Sequence, residues 1–138
     1  MSVKHKILIA EDFEPSRKIM TEILGALGYD YKTASNGYEV IFAMKDEHFD
    51  CILLDLQMPV LDGFETLEHI RRNMSYPKNI IPVIAMTGRE YASELNQTYK
   101  DEGFDGVIEK PFSLNRLDTV LKEAILDSKV PQKFKTIV

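Results

Sequence analysis

CILLDLQMPVLDGFE, residues 51–65, carries four apolar residues straight into a carboxylate, Asp55, and is then broken at Met58-Pro59 and again at Asp62-Gly63. An unbroken apolar run of this kind marks a strand covered on both faces, as in a parallel sheet. A strand apolar enough to be buried that ends on an acid needs a reason for the acid. The reading here is that Asp55 is presented at a sheet edge rather than buried.

Four more short apolar runs stand at near-even spacing on either side: KILIA (6–10), YKTA (31–34), PVIAMT (82–87) and GVIE (106–109). The segments between them have helical periodicity. Ile19, Met20, Ile23, Leu24 and Leu27 form one stripe, and Val40, Phe42 and Met44 suggest a short second helix. Phe64, Leu67, Ile70 and Met74 form a third, Ala92, Leu95 and Tyr99 a fourth and weakest, and Leu114, Leu117, Leu121 and Ile125 a fifth. Pro15 suits a first helical turn and Gly28 a helix stop. Asn36 with Glu39 resembles a capping pair, and Ser113 can cap the last helix. NMSYPKN (73–79) reads as a polar loop. Strand and helix thus alternate five times, which predicts an α/β fold with a parallel sheet, helices on both faces and right-handed crossovers.

A chain of 138 residues is one domain with room for a real core. Its net charge of -5 argues against a surface built for nucleic acid or an anionic membrane. Cys51 is the only cysteine, so an internal disulfide and a thiolate metal cluster are both excluded, and its apolar run makes it an inert buried thiol. His5, His48 and His69 have no ligand spacing and read as surface residues. No signal peptide or membrane span is visible, so the expected location is the cytoplasm.

In a doubly wound sheet, sites form outside the carboxyl ends of the strands. The residues at those ends are Glu11-Asp12, Asp55, Thr87 and Lys110-Pro111, while the second run ends in Ser35 and Asn36. Any one of these could be an ordinary polar loop residue. Together they bring three carboxylates, a hydroxyl and an amine to one edge. Carboxylates that close repel by a few kcal/mol, and such a cluster either raises a pKa or binds a cation. All-oxygen ligands select a hard ion: Mg²⁺, Mn²⁺ or Ca²⁺. A carboxylate nucleophile, a hard metal and a lysine suit the making and breaking of an aspartyl phosphate. Paired glycosidase carboxylates also fit the acid count but leave the lysine unexplained.

ILIAED, LLDLQMPVLDG, PVIAMTG and GVIEKPF, in this order and spacing, resemble the receiver domain of two-component response regulators over about residues 5 to 127. The resemblance implies a flavodoxin-like (βα)5 sheet of strand order 2-1-3-4-5, with residues 1–127 as receiver and 128–138 as tail or linker. It implies Asp55 as phosphoacceptor, Asp12 as a direct Mg²⁺ ligand, Glu11 acting mainly through water, and the Gln57 backbone carbonyl as a further ligand. Lys110 would pair with the phosphoryl group, Thr87 would swing toward it, and the Lys110-Pro111 bond would be cis. Gly63 would serve the turn after the acceptor loop. Mn²⁺ is the alternative metal. A histidine kinase or histidine phosphotransfer protein would be the donor, and the output would be a protein partner at the face of helix 4, strand 5 and helix 5, or the phosphoryl group itself passed onward in a relay. Monomer and phosphorylation-dependent dimer both fit.

The chain departs from the family at Val107, where an aromatic residue is usual, which puts the coupling from Thr87 to that face in question. The resemblance also implies that Gln57 and Arg89, two residues past the acceptor and the hydroxyl, would flank the path of a hydrolytic water. Three rivals fall short. A haloacid-dehalogenase-like phosphatase needs an acid where Gln57 stands. A flavodoxin-type cofactor binder needs a phosphate loop, and EDFEPS is acidic. A phospho-independent scaffold leaves a complete reactive set without a use. The expectation is a stand-alone, phospho-accepting domain that is not a turnover enzyme. Its apolar-tinged tail, KVPQKFKTIV (129–138), is read as frayed, a linker, or a docked segment.

Overall fold

The computed structural model describes residues 4–131. Five strands, β1 (Lys6–Ala10), β2 (Asp30–Ala34), β3 (Cys51–Asp55), β4 (Val83–Thr87) and β5 (Gly106–Glu109), alternate with five helices. The helices are α1 (Glu14–Ala26), α2 (Gly37–Asp46), α3 (Gly63–Asn73), α4 (Arg89–Glu102) and α5 (Leu114–Leu126). All strand pairs are parallel, in the order β2-β1-β3-β4-β5. This is the predicted flavodoxin-like order, with β3 at the centre.

Side chains alternate across the sheet with the strand period of two. Ile7, Ile9, Cys51, Leu53, Ile84, Met86 and Ile108 pack under α1 and α5 with Met20, Leu24, Leu117 and Leu121. Leu8, Ala10, Ile52, Leu54, Val83, Ala85 and Val107 pack under the other helices with Val40, Met44, Leu67, Ile70 and Leu95. Both faces are covered, which explains the unbroken apolar runs.

Several expectations need correction. Phe42 and Ile19 point outward, at 69% and 58% exposure. The α2 residues that go inside are Val40, Ala43 and Met44, at the i, i+3, i+4 spacing of a helix rather than the every-second spacing read from the sequence. α4, read as the weakest helix, is the longest at 14 residues. The 73–79 loop is more ordered than its polarity suggests, with a cis Tyr76-Pro77 bond leading into a 3₁₀ turn, Lys78–Ile80. His5 is half-buried, with Nδ1 3.5 Å from the buried Asp50 carboxylate, and is not a free surface residue. Cys51 is buried, and burial pushes its thiol pKa up. Beyond α5 the chain runs to Pro131, with Val130 beside Phe49. Residues 132–138, most of the tail, lie outside the described residues.

Candidate phosphoacceptor site

The site follows from strand register. Ala10 pairs with Leu54, so the next residues, Glu11 and Asp55, come level on neighbouring strands. Both follow the parity of the α1/α5 face, and strands lie about 4.8 Å apart. Asp12 completes the group, and one carboxylate oxygen from each residue lies within 4.8 Å of the others. Asp55 pairs with Met86 and Met86 with Ile108, so Lys110 stands two residues past the β5 partner. Its Nζ spans β4 to reach Asp55 Oδ2 at 3.2 Å and Glu11 Oε2 at 3.1 Å. The Lys110-Pro111 bond is cis.

Burial corrects the reading of Asp55 as presented rather than buried. It is 6% exposed and Glu11 2%, so both sit at the floor of the edge while Asp12 stands open to solvent. The loop closing over them causes this. Gly63 N–H donates to the Leu56 carbonyl at 3.2 Å, and a Cβ on Gly63 would lie 2.6 Å from the Asp55 carbonyl oxygen. Only glycine lets the start of α3 come so close. The Gln57 N–H donates to Asp55 Oδ1 at 3.1 Å, which fixes the carboxylate's rotation.

The electrostatics are those of crowded acids. Burial, then the adjoining Asp55, pushes the Glu11 carboxyl up to about 7, with Lys110 pulling the other way. Burial works against the charge on Lys110, but Asp55 and Glu11 outweigh it and its pKa rises. With all three carboxyls ionised, Lys110 cancels one of their three negative charges. The oxygen-only donor set and the uncompensated charge fit a hard divalent cation.

The other expected residues are placed less closely. Thr87 is buried, one residue past Met86, and its carbonyl accepts the Lys110 N–H at 2.8 Å. The Gln57 side chain is exposed. Arg89 is an exposed side chain whose partner is Glu109, at 3.6 Å. Val107 is buried among the α2–α4 core residues and lines a depression of about 640 Å³ over edge strand β5, between α4 and α5. One positioning residue escaped the sequence reading. Arg17 donates from Nη1 to the Glu11 carbonyl at 2.8 Å and holds the acidic turn. Its only sequence signal is a cation one turn into α1, too common to single out.

The family model for the response regulator receiver domain matches residues 7–122. The chain belongs to this family. Receiver domains accept phosphoryl groups from histidine kinases. This receiver domain is 31% identical over 115 residues to the sensor histidine kinase RcsC of Escherichia coli strain K12, covering 83% of this chain and 12% of that protein. It spans less than half the length of the first curated relatives it matches. Among solved structures, it is similar to the receiver domain of sensor histidine kinase PA1611 from Pseudomonas aeruginosa PAO1, described with a magnesium ion coordinated in the active-site cleft. The TM-score is 0.77 and the identity 26%, over 90% of this chain and 99% of that one. The chemotaxis response regulator CheY4 of Vibrio cholerae is similar at a TM-score of 0.77 and 30% identity, over 88% and 98% of the two chains. Among the described residues of this receiver domain, no helix is long and apolar enough to cross a membrane.

Proposed function

We propose that Asp55 accepts a phosphoryl group from a phosphohistidine on a histidine kinase or phosphotransfer protein. The observation that carries this reading is the Lys110 ammonium, held between Asp55 and Glu11 at 3.2 and 3.1 Å. A cation so placed stands ready beside the incoming phosphoryl oxygens.

An Asp55 oxygen attacks phosphorus as the P–N bond to the donor imidazole breaks, and the electron pair of that bond leaves with the ring. Lys110 then exchanges a carboxylate oxygen for a phosphoryl oxygen, and the Thr87 hydroxyl donates to another. Glu11, Asp12 and Asp55 would hold Mg²⁺, with the Gln57 carbonyl as a further ligand and Mn²⁺ as a substitute. A divalent ion there supplies neutralisation of the phosphoryl charge. The exposed Gln57 side chain, with Arg89, borders the approach of the water that later hydrolyses the acyl phosphate. The group is lost to water without turnover of an external substrate.

Residues 1–127 act as the receiver, and the remainder serves as tail or linker. The reading places the domain in the cytoplasm, with output to a protein partner through the α4–β5–α5 face, as a monomer or a phosphorylation-dependent dimer. Val107 loosens the coupling of Thr87 to that face, because a valine has no ring to rotate. Intact mass after addition of Mg²⁺ and acetyl phosphate tests the acceptor. One added phosphoryl group, absent from Asp55→Asn, is the expected result. No adduct, or one retained in Asp55→Asn, overturns the assignment.

A further inference from the structure

Away from the acidic edge, α3 and α4 leave a groove of about 160 Å³ between them, lined by Leu56, Phe64, Tyr91, Glu94, Leu95, Thr98 and Glu102. Leu56 and Leu95 are buried beneath it, while Phe64 and Tyr91 stand on its sides at 40% and 50% exposure. The ring of Phe64 meets Phe104 edge-on, with centroids 5.9 Å apart, which ties the first turn of α3 to the residue after the α4 cap.

The volume narrows the choice of occupant. Pockets for free small molecules run from about 300 Å³ upward, so this groove holds one bulky side chain rather than a whole ligand. Its charge narrows the choice further. Two carboxylates and no cation line it. None of the Arg and Lys residues of the flanking helices, Arg71, Arg72, Arg89 and Lys100, lines it; Lys100 and Arg71 line the depression over β5, and Arg89 pairs with Glu109. Tyr91, Glu94, Leu95, Thr98 and Glu102 fall at helical spacing along one stripe of α4. Glu94 and Glu102 are two turns apart, about 12 Å along the axis.

We propose that this groove docks a basic amphipathic helix of a partner protein, which seats one Leu, Met or Phe over Leu56 and Leu95 and sets Lys or Arg, about two turns apart, against Glu94 and Glu102. An apolar stripe between acidic residues is the complement of such a helix. Leu56 directly follows Asp55, its N–H donates to the Met86 carbonyl at 3.2 Å, and its own carbonyl receives Gly63 N–H. Anything seated on Leu56 therefore presses on the acceptor loop, and the docked helix and the state of Asp55 influence each other. That link rests on the acceptor reading above; the docking itself does not.

The probe is a fourteen-residue helical peptide with a central Leu-Phe stripe and Lys at i and i+7, compared with its Lys→Glu counterpart. Binding to the full chain is followed by calorimetry and amide chemical shifts. The basic peptide is expected to bind, to move Leu56, Tyr91 and Thr98, and to lose at least tenfold in affinity to a Glu94→Lys/Glu102→Lys chain. Tyr91→Ala weakens it with the charges intact. Equal binding of the acidic peptide, shifts confined to another face, or no binding would each overturn the proposal. Phosphoryl uptake from acetyl phosphate by the Glu94→Lys/Glu102→Lys chain, read by mass, separates the two readings. Uptake with no docking removes the groove alone, and docking with no uptake in either chain removes the acceptor reading alone.

Discussion

Val60 has φ of 69°, the one non-glycine residue of positive φ among those described, and it is 77% exposed. A β-branched side chain in the left-handed region crowds its own backbone at a cost of about 1–2 kcal/mol. Exposure means that little packing offsets this cost. Val60→Asn is expected to stabilise the chain by about 1 kcal/mol, since asparagine tolerates that conformation. A urea midpoint that fails to rise rejects the strain. Three residues on, Gly63 shows the opposite case. An added Cβ would lie 2.6 Å from the Asp55 carbonyl oxygen and 2.7 Å from Leu56 Cα, both backbone atoms that have little room to yield. Gly63→Ala should cost about 1–3 kcal/mol and slow phosphoryl uptake at Asp55. Normal uptake in a destabilised Gly63→Ala chain would separate the loop's packing from its chemistry. Neither residue's conformation is legible in MPVLDG, which announces a turn but not its dihedrals.

Among the helices, what the sequence disclosed depended on how many independent signals agreed. α5 combines a regular stripe with Ser113, whose hydroxyl accepts the Arg116 N–H at 3.1 Å; the helix and its cap are as expected, although Leu114 is 41% exposed and Val120 and Ala124 join Leu117 and Leu121 inside. At α2, Asn36 accepts the Glu39 N–H at 2.9 Å as the pattern suggests, yet the Glu39 carboxylate turns to the Ser35 N–H and hydroxyl instead of completing the box. The complete capping box is at α3, where Asp62 accepts the Glu65 N–H at 2.9 Å and the Glu65 carboxylate receives the Asp62 N–H at 3.2 Å. Asp62-Gly63 reads in the sequence only as a chain break, because the turn chemistry and the cap share the same residues. Asp62→Ala should therefore cost about 1 kcal/mol through the helix start, with Glu65→Ala costing less. Equal losses in denaturant unfolding would mean that the box acts as a unit. α4 was the least legible helix. Only Ala92 and Leu95 are buried along its 14 residues, Gly88 offers no side-chain cap, and its most definite end is Gly103 at φ 104°. A stripe so narrow leaves a weak periodic signal, and it also leaves the α3–α4 groove uncovered.

For the molecule as a whole, parallel register makes the site and its cost inseparable. The sheet brings Glu11 beside Asp55 because both strands end on the same level; the run boundaries put each acid at a strand end, while the neighbouring of β1 and β3 came only with the strand order that the family resemblance implies. How deep the acids sit was not, since it depends on the acceptor loop and on Arg17 closing around them. The depth has a consequence for pH. In the folded, metal-free chain the Glu11 carboxyl is raised from its ordinary 4.5 to about 7, so folding favours its protonated form. Its contribution to stability is complete below pH 4.5 and is lost as pH rises through about 7. If Mg²⁺ binds the ionised acids as proposed, protons compete with it, and its apparent affinity should be about tenfold weaker at pH 6 than at pH 8. The rise in Tm at a fixed, subsaturating Mg²⁺ concentration should grow across that interval. Glu11→Gln should flatten this pH dependence, and Asp12→Ala should remove most of the Mg²⁺ response while leaving the metal-free titration of Glu11 in place. A Mg²⁺ effect equal at pH 6 and pH 8 would mean that Glu11 stays outside the cation's reach. An Asp12→Ala chain stabilised like the parent would move the cation off this edge and leave Lys110 as the only counter-charge to Asp55 among the described residues.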